Sequence, residues 1–360
     1  MSKLNDTISR IDGLDVKAMR LARERQDQLT KPKGSLGVLE EMSVKIAGIQ
    51  GKPIPEITKK VIIVMAGDHG VAAEGVSAFP QEVTPQMVAN FAAGGAGINV
   101  LARHAGAEVR VVDAGVAVPI NIPGVIDKKV RLGTANMAEG PAMTREEAIA
   151  SIEAGIEIAE AAIADGADLL GTGDMGIANT TASSAILSVF SGVELDHSVG
   201  RGTGIGADAL VKKREVIAQA IKVNQPDKRD GLDVLAKVGG LEIGGLAGVI
   251  IGAAANRVPV LIDGFISGAA AMVAASIAPE SRGYMIASHV SVEPGHKLML
   301  EELALKPMLF MNMRLGEGTG AALASSLAEA ACKVLAEMAT FAEAGVAEKD
   351  EDKTEQGAGI

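Results

Sequence analysis

The chain has 360 residues, which is enough for a large hydrophobic core and predicts one large domain with a smaller one. Apolar residues make up 48% of the sequence, only 2% are aromatic, and the formal net charge is −11. This composition argues against nucleic-acid and anionic-membrane partners, because aromatic side chains that could stack on bases are scarce and the net charge is negative. It favours a soluble α/β enzyme that meets any phosphate group locally, through backbone N–H groups and a few basic side chains.

Cysteine content and the start of the chain bear on location. The one cysteine, Cys332, lies in a periodic segment typical of a packed helix, and we interpret it as a buried structural thiol. A single cysteine allows no disulfide within the chain, and the polar start MSKLNDTISRIDGLD does not resemble a signal peptide. We therefore expect a cytoplasmic protein. The run GGLAGVIIGAAANRVPVLI is interrupted by polar residues and a proline, which predicts a buried helix followed by a strand and no membrane span.

Hydrophobic periodicity predicts strands and helices that alternate along most of the chain. In chain order, the predicted elements are helices within 15–30 and 37–50, a strand within 60–70, helical structure over 82–106, a strand within 107–116 followed by a Pro-rich loop, a long helix within 144–166, a strand within 167–174, helices within 179–192 and 208–224, and strands within 258–265 and 282–290 on either side of the Ala-rich segment 267–278. This alternation predicts a mostly parallel sheet with helices on both faces.

Each predicted strand ends in a polar, glycine-rich tip, which is GDHG, DAG, GTGD, IDGF or SHVS. The carboxyl ends of parallel strands meet at one edge of the sheet, and such folds bind their ligands there. Several tips with Gly, Asp or His at one edge indicate a site more strongly than any single tip does. We therefore expect the functional site at the carboxyl edge of the sheet.

The segment LLGTGDMGIANTT, residues 169–181, fits the G-x-G-x-x-G fingerprint of dinucleotide-binding folds. That interpretation needs a second strand with an acidic residue about 20 residues further on, and Glu194 has no clear strand to carry it. A second hypothesis places a single phosphate at the helix that begins with Asn179, Thr180 and Thr181, where free N–H groups and the helix dipole attract an anion. In the third alternative these residues only cap the helix.

A second glycine-rich loop, GRGTGIG, leads into a predicted helix that carries Lys212 and Lys213. Glycines allow the backbone to approach a ligand closely, and a lysine supplies a point charge to a phosphate. Adjacent lysines on a helix point in different directions, so we expect only one of them to face inward. The alternative is that both are solvated.

Signals for a metal or a covalent nucleophile are weak. The chain has five histidines and contains no H-E-x-x-H, G-x-S-x-G or G-x-x-x-x-G-K-[ST] motif. His69 follows Asp68 at a strand end, and His289 and His296 frame HVSVEPGH, a spacing that alone gives little support to a metal site. We expect no metal and no cofactor.

Glu317 is the remaining candidate, in the segment NMRLGEGTGAALA. It stands between two glycines just before a predicted helix, so no neighbouring side chain in the sequence shields its carboxylate. Partial burial in a cleft would raise its pKa toward the value that a general base needs. The alternative is an acidic residue that only serves the dipole at a helix start.

Six motifs, in this order, carry a resemblance that covers nearly the whole chain apart from its tail: LTKPKGSLGVLE, AGDHGVAAEGVSAFPQEVT, GTGDMGIANTT, GRGTGI, HVSVEPGH and RLGEGTGAALA. The sequence closely resembles the nicotinate-nucleotide–dimethylbenzimidazole phosphoribosyltransferase family. The resemblance implies transfer of the phosphoribosyl group of nicotinate mononucleotide to a benzimidazole nitrogen. It also implies a homodimer that needs no metal. For the fold, it implies a Rossmann-like large domain (59–319) and a small helical domain from both chain ends (1–58 with 320–345). The acidic composition of the tail (346–360) separately predicts disorder there.

The resemblance also implies roles for individual residues. Glu317 matches the catalytic glutamate of the family. The residues expected to bind the mononucleotide and its phosphate are Gly173, Asp174, Gly176, Asn179, Thr180, Thr181, Gly202, Lys213, Ser291 and Gly316. Those expected to contact the aromatic base are Ser77, Pro80, Gln86, Asp174 and Leu315.

Two positions depart from the pattern expected for this family. Asp174 stands where glutamate is frequent, and Ala178 where glycine is frequent. Aspartate is one methylene shorter, so its reach toward the acceptor differs and the range of acceptors stays open. A phenol or p-cresol acceptor is one alternative within the family. A nicotinamide-dependent oxidoreductase and a catalytically silent mononucleotide-binding subunit are alternatives from other classes.

Overall fold

The computed structural model describes residues 2–347, so the predicted disordered tail lies outside the described residues from 348 onward. The centre of the fold is a sheet of six strands, which are β1 (Lys60–Gly67), β2 (Ala107–Gly115), β3 (Val125–Asp127), β4 (Leu169–Met175), β5 (Val260–Ile262) and β6 (Met285–Ala287). All neighbouring strands pair in parallel, in the order β3-β2-β1-β4-β5-β6. The predicted α/β class with a parallel, Rossmann-like sheet is confirmed.

Strand β1 shows why this sheet forms. All eight of its residues are buried, and it pairs with β2 on one side and β4 on the other. Parallel strands covered by helices on both faces are nearly continuous apolar runs, as KVIIVMAG is. The chain builds one half of the sheet outward from β1 and then returns to begin the other half with β4. Such a switch point opens a crevice at the carboxyl ends of the two strands.

Helices account for much of the remaining described chain. They are α1 (Lys3–Ile8), α2 (Val16–Gln28), α3 (Val38–Gln50), α4 (Val83–Ala92), α5 (Gly97–Ala105), α6 (Arg145–Ala164), α7 (Asn179–Ser191), α8 (Leu195–Ser198), α9 (Ala207–Asn224), α10 (Gly231–Val238), α11 (Leu241–Ala255), α12 (Phe265–Ile277), α13 (Pro294–Glu302), α14 (Thr319–Glu337) and α15 (Phe341–Ala344). Short 3-10 helices occupy Gly70–Glu74 and Pro279–Tyr284.

Two predicted segments differ from the structure. Helical structure predicted over 82–106 is two helices, α4 and α5, because Gly94 adopts a left-handed conformation with φ +78° and turns the chain. The Pro-rich loop after β2 contains the short edge strand β3. Its three residues are too few to produce a periodic signal in the sequence.

Glycines set the distance between α6 and α11 behind the sheet. A Cβ at Gly155 would overlap the carbonyl oxygen of Gly245, and a Cβ at Gly248 would overlap that of Ile152. The two helices therefore meet backbone to backbone, and α11 is buried from Leu241 to Ala254. The predicted buried helix followed by a strand is confirmed in α11 and β5. Among the described residues, no helix is long and apolar enough to cross a membrane.

The chain divides into two compact units. The larger contains the described residues up to Leu14 together with Ile57–Leu327, and the smaller contains Asp15–Glu56 with the described residues from Ala328 onward. This division differs from the predicted domain boundaries at the first residues and around 320. In the larger unit, helix α1 packs on α6, where the Leu4 N–H donates to the Glu153 carboxylate at 3.0 Å. In the smaller unit, α2 and α3 pack together around Ala22, Val44 and Ala47.

Candidate active site

A cavity of about 440 Å³ opens at the carboxyl edge of the sheet, within the larger unit. Its volume lies within the range of about 300–1,000 Å³ that is usual for small-molecule sites. Of the five predicted strand tips, GTGD, IDGF and SHVS contribute lining residues, whereas GDHG and DAG do not. The polar lining residues are Asp174, Asn179, Thr180, Thr203, His289, Ser291, Glu293, Arg314 and Glu317; the glycines are Gly176, Gly202, Gly264 and Gly316; and the apolar residues are Phe79, Val83, Met87, Met175, Ile177, Phe265, Ile266 and Leu315.

Glu317 is presented by a strained turn. Gly316, Glu317 and Gly318 all have positive φ angles, of +80°, +61° and +91°. Glycine adopts this conformation readily, whereas for glutamate it costs of order 1–3 kcal/mol and persists only where the surroundings impose it. Gly173 of β4 provides part of that support, because a Cβ there would overlap the carbonyl oxygen of Glu317. The strand and the turn therefore touch directly through their backbones.

The Glu317 side chain is buried, with 6% of its surface exposed. Its Oε2 accepts a hydrogen bond from the Ile98 N–H at 3.1 Å, in the first turn of α5. Burial raises the pKa of the Glu317 carboxyl, and the hydrogen bond from Ile98 opposes that shift. A carboxylate that is held at a cavity wall and has a raised pKa suits general-base catalysis.

Asp174 lies at the end of β4 and is also buried. Its Oδ2 accepts a hydrogen bond from Asn179 Nδ2 at 3.0 Å, and its Oδ1 is buried without a partner. Burial raises the pKa of Asp174 well above its ordinary value, and the nearby charges of Asp263 and Glu242 add to the shift. These surroundings favour a protonated Asp174 that can donate a hydrogen bond into the cavity.

The helix start at 179–181 is not capped by its own side chains. Ala178 is the N-cap residue of α7, in a left-handed conformation with φ +75° and no side-chain cap hydrogen bond. Asn179 bonds to Asp174, and Thr180 accepts from Lys213. The interpretation that these residues only cap the helix is therefore wrong. The N–H groups of Asn179 and Thr181 are engaged by the carbonyls of Gly176 and Ala178, so α7 offers a phosphate fewer free donors than expected.

Lys213 is the inward-facing lysine of the pair. Only 1% of its surface is exposed, whereas Lys212 is exposed. Its Nζ donates to Thr180 Oγ1 at 2.7 Å and to the Gly200 carbonyl at 3.4 Å. Among the residues that the structure describes, no carboxylate lies within ion-pair distance of this ammonium. Burial lowers the pKa of Lys213 to about 8, although the charge of Glu293 opposes the shift.

The interpretation of GTGDMG as a dinucleotide-binding fingerprint is wrong, because its first two glycines are not at the turn that such a site needs. Gly171 and Gly173 lie inside strand β4 and not in a turn between a strand and a helix. A Cβ at Gly171 would come within 3.2 Å of Ala321, so this glycine makes room for α14 and not for a ligand. Glu194 precedes the short helix α8, and the next strand after β4 is β5. The elements of a dinucleotide site are therefore not arranged around this motif.

Nine of the predicted site residues line the cavity: Asp174, Gly176, Asn179, Thr180, Gly202, Ser291, Leu315, Gly316 and Glu317. Gly173, Thr181 and Lys213 lie just behind this wall. Ser77 Oγ is 3.3 Å from Thr203 Oγ1, which does reach the cavity. Pro80 and Gln86 are exposed, and on α4 the residues that line the cavity are Val83 and Met87. The roles expected for these residues stay predictions.

Several lining residues were not predicted. Arg314 and Glu293 lie in motifs that had been singled out, RLGEG and HVSVEPGH, and their charges were the signal available in the sequence. Glu293 is 9% exposed and its Oε2 is buried without a partner. The apolar wall gave no signal, because side chains such as Phe265 and Ile266 look like ordinary core residues in a sequence.

A second cavity adjoins the first and shares Gly202, Glu293 and Arg314 with it. Its lining adds Arg201, Arg214 and Asp196, and Arg214 Nη1 is 2.9 Å from Asp196 Oδ1. The positive charges near the shared boundary are therefore those of Arg314 and Arg201, with Glu293 as an opposing charge. The same boundary lies beside Lys213, since a Cβ on Gly202 would be 3.3 Å from Lys213 Nζ. An anionic group would find its complementary charges on this side of the cavity.

Of the candidate histidines, His69 is buried with its Nε2 2.6 Å from Glu242 Oε1, and the other two lie near each other. His296 Nδ1 accepts a hydrogen bond from the Ser291 N–H at 2.9 Å, and its ring centroid is 6.0 Å from that of His289. Burial lowers the pKa of His296 to about 3, and His289 adds to the shift. Within residues 2–347, no group of three or more His, Cys, Asp or Glu side chains is arranged to hold a metal ion.

Comparison with known proteins identifies relatives over nearly the full length. A family model described as phosphoribosyltransferase matches residues 11–346. A protein of Chloroflexus aggregans named nicotinate-nucleotide–dimethylbenzimidazole phosphoribosyltransferase is 61% identical over 352 residues, which is 98% of this chain and 100% of that protein. A protein of Geobacter sulfurreducens with the same name is 56% identical over 351 residues, which is 97% of this chain and 100% of that protein.

Solved structures agree with the sequence relatives. A crystal structure of the Thermus thermophilus enzyme of that name has a TM-score of 0.89 with this chain and 46% sequence identity. The match covers 93% of this chain and 100% of the other. With the parallel sheet, the cavity at its carboxyl edge and these matches together, the chain belongs to the phosphoribosyltransferase family that these relatives represent.

Proposed function

We propose that the protein transfers the 5-phosphoribosyl group of nicotinate mononucleotide to 5,6-dimethylbenzimidazole or a related base, giving α-ribazole 5′-phosphate and nicotinate for cobamide biosynthesis. The observation that carries this proposal is the carboxylate of Glu317 in the cavity lining together with the buried ammonium of Lys213, which donates to the lining residue Thr180. Glu317 is suited to act as a base that removes a proton, and Lys213 is suited to bind a phosphate. The names of the relatives support the same substrates.

The chemistry is a single displacement. The ring nitrogen of the donor's nicotinate is cationic, so nicotinate is a good leaving group, and the ribose carbon acquires oxocarbenium character as the bond breaks. One acceptor nitrogen attacks from the opposite face and inverts β to α, while the other nitrogen loses its proton to Glu317. Such a base contributes about 10²–10⁴-fold to the rate. Most of the remaining acceleration comes from holding the two substrates together.

The phosphate of the donor would lie against Lys213, Thr180 and Gly202. Among the described residues, the Lys213 ammonium has only neutral oxygens within hydrogen-bonding distance, and the negative charge near it is that of Glu293. A phosphate would therefore add a direct ionic partner. The backbone at Gly202 can approach a ligand closely because it has no side chain. Donor and acceptor would then occupy the cavity side by side, with the reacting carbon between Lys213 and Glu317.

An assay with both substrates tests the proposal against its alternatives. Protein incubated with nicotinate mononucleotide and 5,6-dimethylbenzimidazole is expected to release nicotinate and form a ribosylated base, which chromatography detects. Tight mononucleotide binding without turnover would support a silent binding subunit instead. Turnover with phenol or p-cresol exceeding that with benzimidazoles would move the protein to the alternative acceptor class.

Asp174 provides a prediction about the acceptor. We expect Asp174→Ala to raise the acceptor KM about tenfold, since one neutral hydrogen bond contributes about 0.5–1.5 kcal/mol. Asp174→Asn should stay within about threefold of wild type, because an amide reproduces the shape and donor of a protonated carboxyl. Steady-state kinetics with varied benzimidazole at saturating mononucleotide measures both. An Asn variant as impaired as the Ala variant would show that Asp174 acts as a carboxylate.

We also propose a homodimer located in the cytoplasm. Large apolar side chains are exposed on the loop before Glu317, with Phe310 77%, Met311 54% and Leu315 59% exposed. Exposed apolar groups clustered on one loop are typical of a surface that a partner covers. Analytical ultracentrifugation is expected to give twice the mass of 36.7 kDa, and a monomer at all concentrations would contradict the dimer.

A further inference from the structure

Asp263 is a fully buried carboxylate immediately after strand β5. Its Oδ2 accepts a hydrogen bond from the Gly318 N–H at 3.1 Å, and its Oδ1 accepts one from the Ala321 N–H at 2.9 Å. Asp263 is not among the residues that line the cavity. Its carboxylate is therefore directed at the backbone that follows Glu317 and not at a ligand.

The turn that presents Glu317 needs outside support. Three successive residues with positive φ, one of them a glutamate, form a conformation that the chain does not favour by itself. Gly173 limits the turn on the side of Glu317, where the backbones of strand and turn are in contact. Asp263 holds the other side, at Gly318 and at the first turn of α14. Burial raises the pKa of Asp263 to about 7, and the hydrogen bonds from the Ala321 and Gly318 N–H groups oppose that shift. Above this pH the ionised carboxylate accepts hydrogen bonds that are about twice as strong as those between neutral groups.

The support of Asp263 is itself fixed. Its own N–H donates to Thr172 Oγ1 at 3.2 Å, and the Ser288 hydroxyl donates to its carbonyl oxygen at 3.1 Å. These contacts join Asp263 to β4 and to the residue that follows β6. The carboxylate therefore fixes the Glu317 turn relative to the sheet.

We propose that Asp263 is the positioning residue for Glu317, holding the Gly316–Gly318 turn so that the glutamate carboxylate meets the acceptor N–H. This inference rests on the proposed function and deepens it. Asp263 itself does not touch either substrate. Its effect on the rate is transmitted through the orientation of Glu317, and a misplacement of about 1 Å is enough to cost about 10²-fold.

Asp263→Asn tests the proposal, because the amide nitrogen would face one of the two N–H donors and could not accept a hydrogen bond from it. We expect kcat to fall about 10- to 100-fold, with the mononucleotide KM within about threefold of wild type. In the Glu317→Gln background the same substitution should change kcat by less than about threefold, because two residues that act as a unit are not additive. Asp113→Asn, a buried aspartate at the end of β2, is the matched control and should leave kcat unchanged.

Results that would refute the positioning role differ from the result that would refute the proposed function. An unchanged kcat in Asp263→Asn, or an equal loss in the Glu317→Gln background, would overturn the positioning role. If the Asn variant does not fold, Asp263→Glu keeps the charge but displaces its oxygens, and we expect the same loss of kcat. Wild-type protein that releases no nicotinate would refute the proposed function instead.

Amide hydrogen exchange reports on the turn without any catalytic turnover. We expect exchange at Gly318 and Ala321 to accelerate in Asp263→Asn, and unaltered exchange would contradict the hydrogen bonds to Asp263.

Discussion

Glu317→Gln is expected to lower kcat by about 10²–10⁴-fold, which is the contribution of a positioned general base. The amide has nearly the shape of the carboxyl and can still accept the hydrogen bond from Ile98, so the turn should keep its conformation. It cannot accept the acceptor's proton. Mononucleotide binding should therefore change by less than about threefold, because the substitution removes an interaction made only in the transition state.

The pH dependence of kcat provides a second measurement on the same variant. Burial raises the pKa of Glu317, and only the ionised form can act as a base. The wild-type rate is therefore expected to fall as the pH decreases through that raised pKa, and the Gln variant should lose this acid limb. Glu302→Gln, at an exposed position of α13, is the control. Rates like those of wild type in Glu317→Gln would refute the assignment of the base.

Lys213→Met is expected to raise the mononucleotide KM by about 10- to 100-fold, which corresponds to the 1.5–3 kcal/mol of a hydrogen bond to a charged group. Methionine fills the same buried space along α9 without the ammonium. Lys212→Met is a matched control, because Lys212 is adjacent to Lys213 in the sequence but has an exposed side chain. It should leave KM within about twofold of wild type. Steady-state kinetics and calorimetric binding with nicotinate mononucleotide measure both variants.

The same lysine makes donor affinity depend on pH. Burial lowers the pKa of Lys213 to about 8, so the ammonium is present below this pH and is lost above it. The affinity for nicotinate mononucleotide is therefore expected to fall as the pH rises through about 8 in the wild type. Lys213→Met should bind weakly at every pH and show no such transition. A wild-type affinity that is constant across this pH range would contradict a phosphate contact through Lys213.

Much of the fold could be predicted because its signals are local. Buried parallel strands such as β1 are apolar throughout, and the helices between them have clear periodicity. The inward lysine could also have been predicted, since Lys213 shares a helical face with Val216, Ile217 and Ala220. The short strand β3 could not, because its pairing with β2 and not its own sequence makes it a strand.

The site was less accessible to sequence reasoning. The predicted strand within 167–174 already includes Gly173, yet nothing in its sequence shows that this glycine faces the backbone of the distant residue Glu317. Asn179 and Thr180 looked like capping residues and instead bond to Asp174 and Lys213. Contacts of this kind join segments far apart in the chain, so local preferences do not encode them. Asp263 belongs to the same class, since only the fold shows that its carboxylate faces Gly318.

Because the backbone at Gly173 contacts the Glu317 turn, the position of the carboxylate and the shape of the cavity wall depend on different parts of the structure. The position of the Glu317 carboxylate depends on backbone contacts among β4, the Glu317 turn and Asp263, whereas side chains such as Phe79 and Met87 shape the apolar wall of the cavity. If that wall holds the acceptor as proposed, we expect substitutions in it to alter which aromatic base fits without displacing the Glu317 carboxylate. This arrangement would let the enzyme evolve toward new acceptors through its apolar wall. Gly173 itself is not free to change, because a side chain there would displace the Glu317 turn.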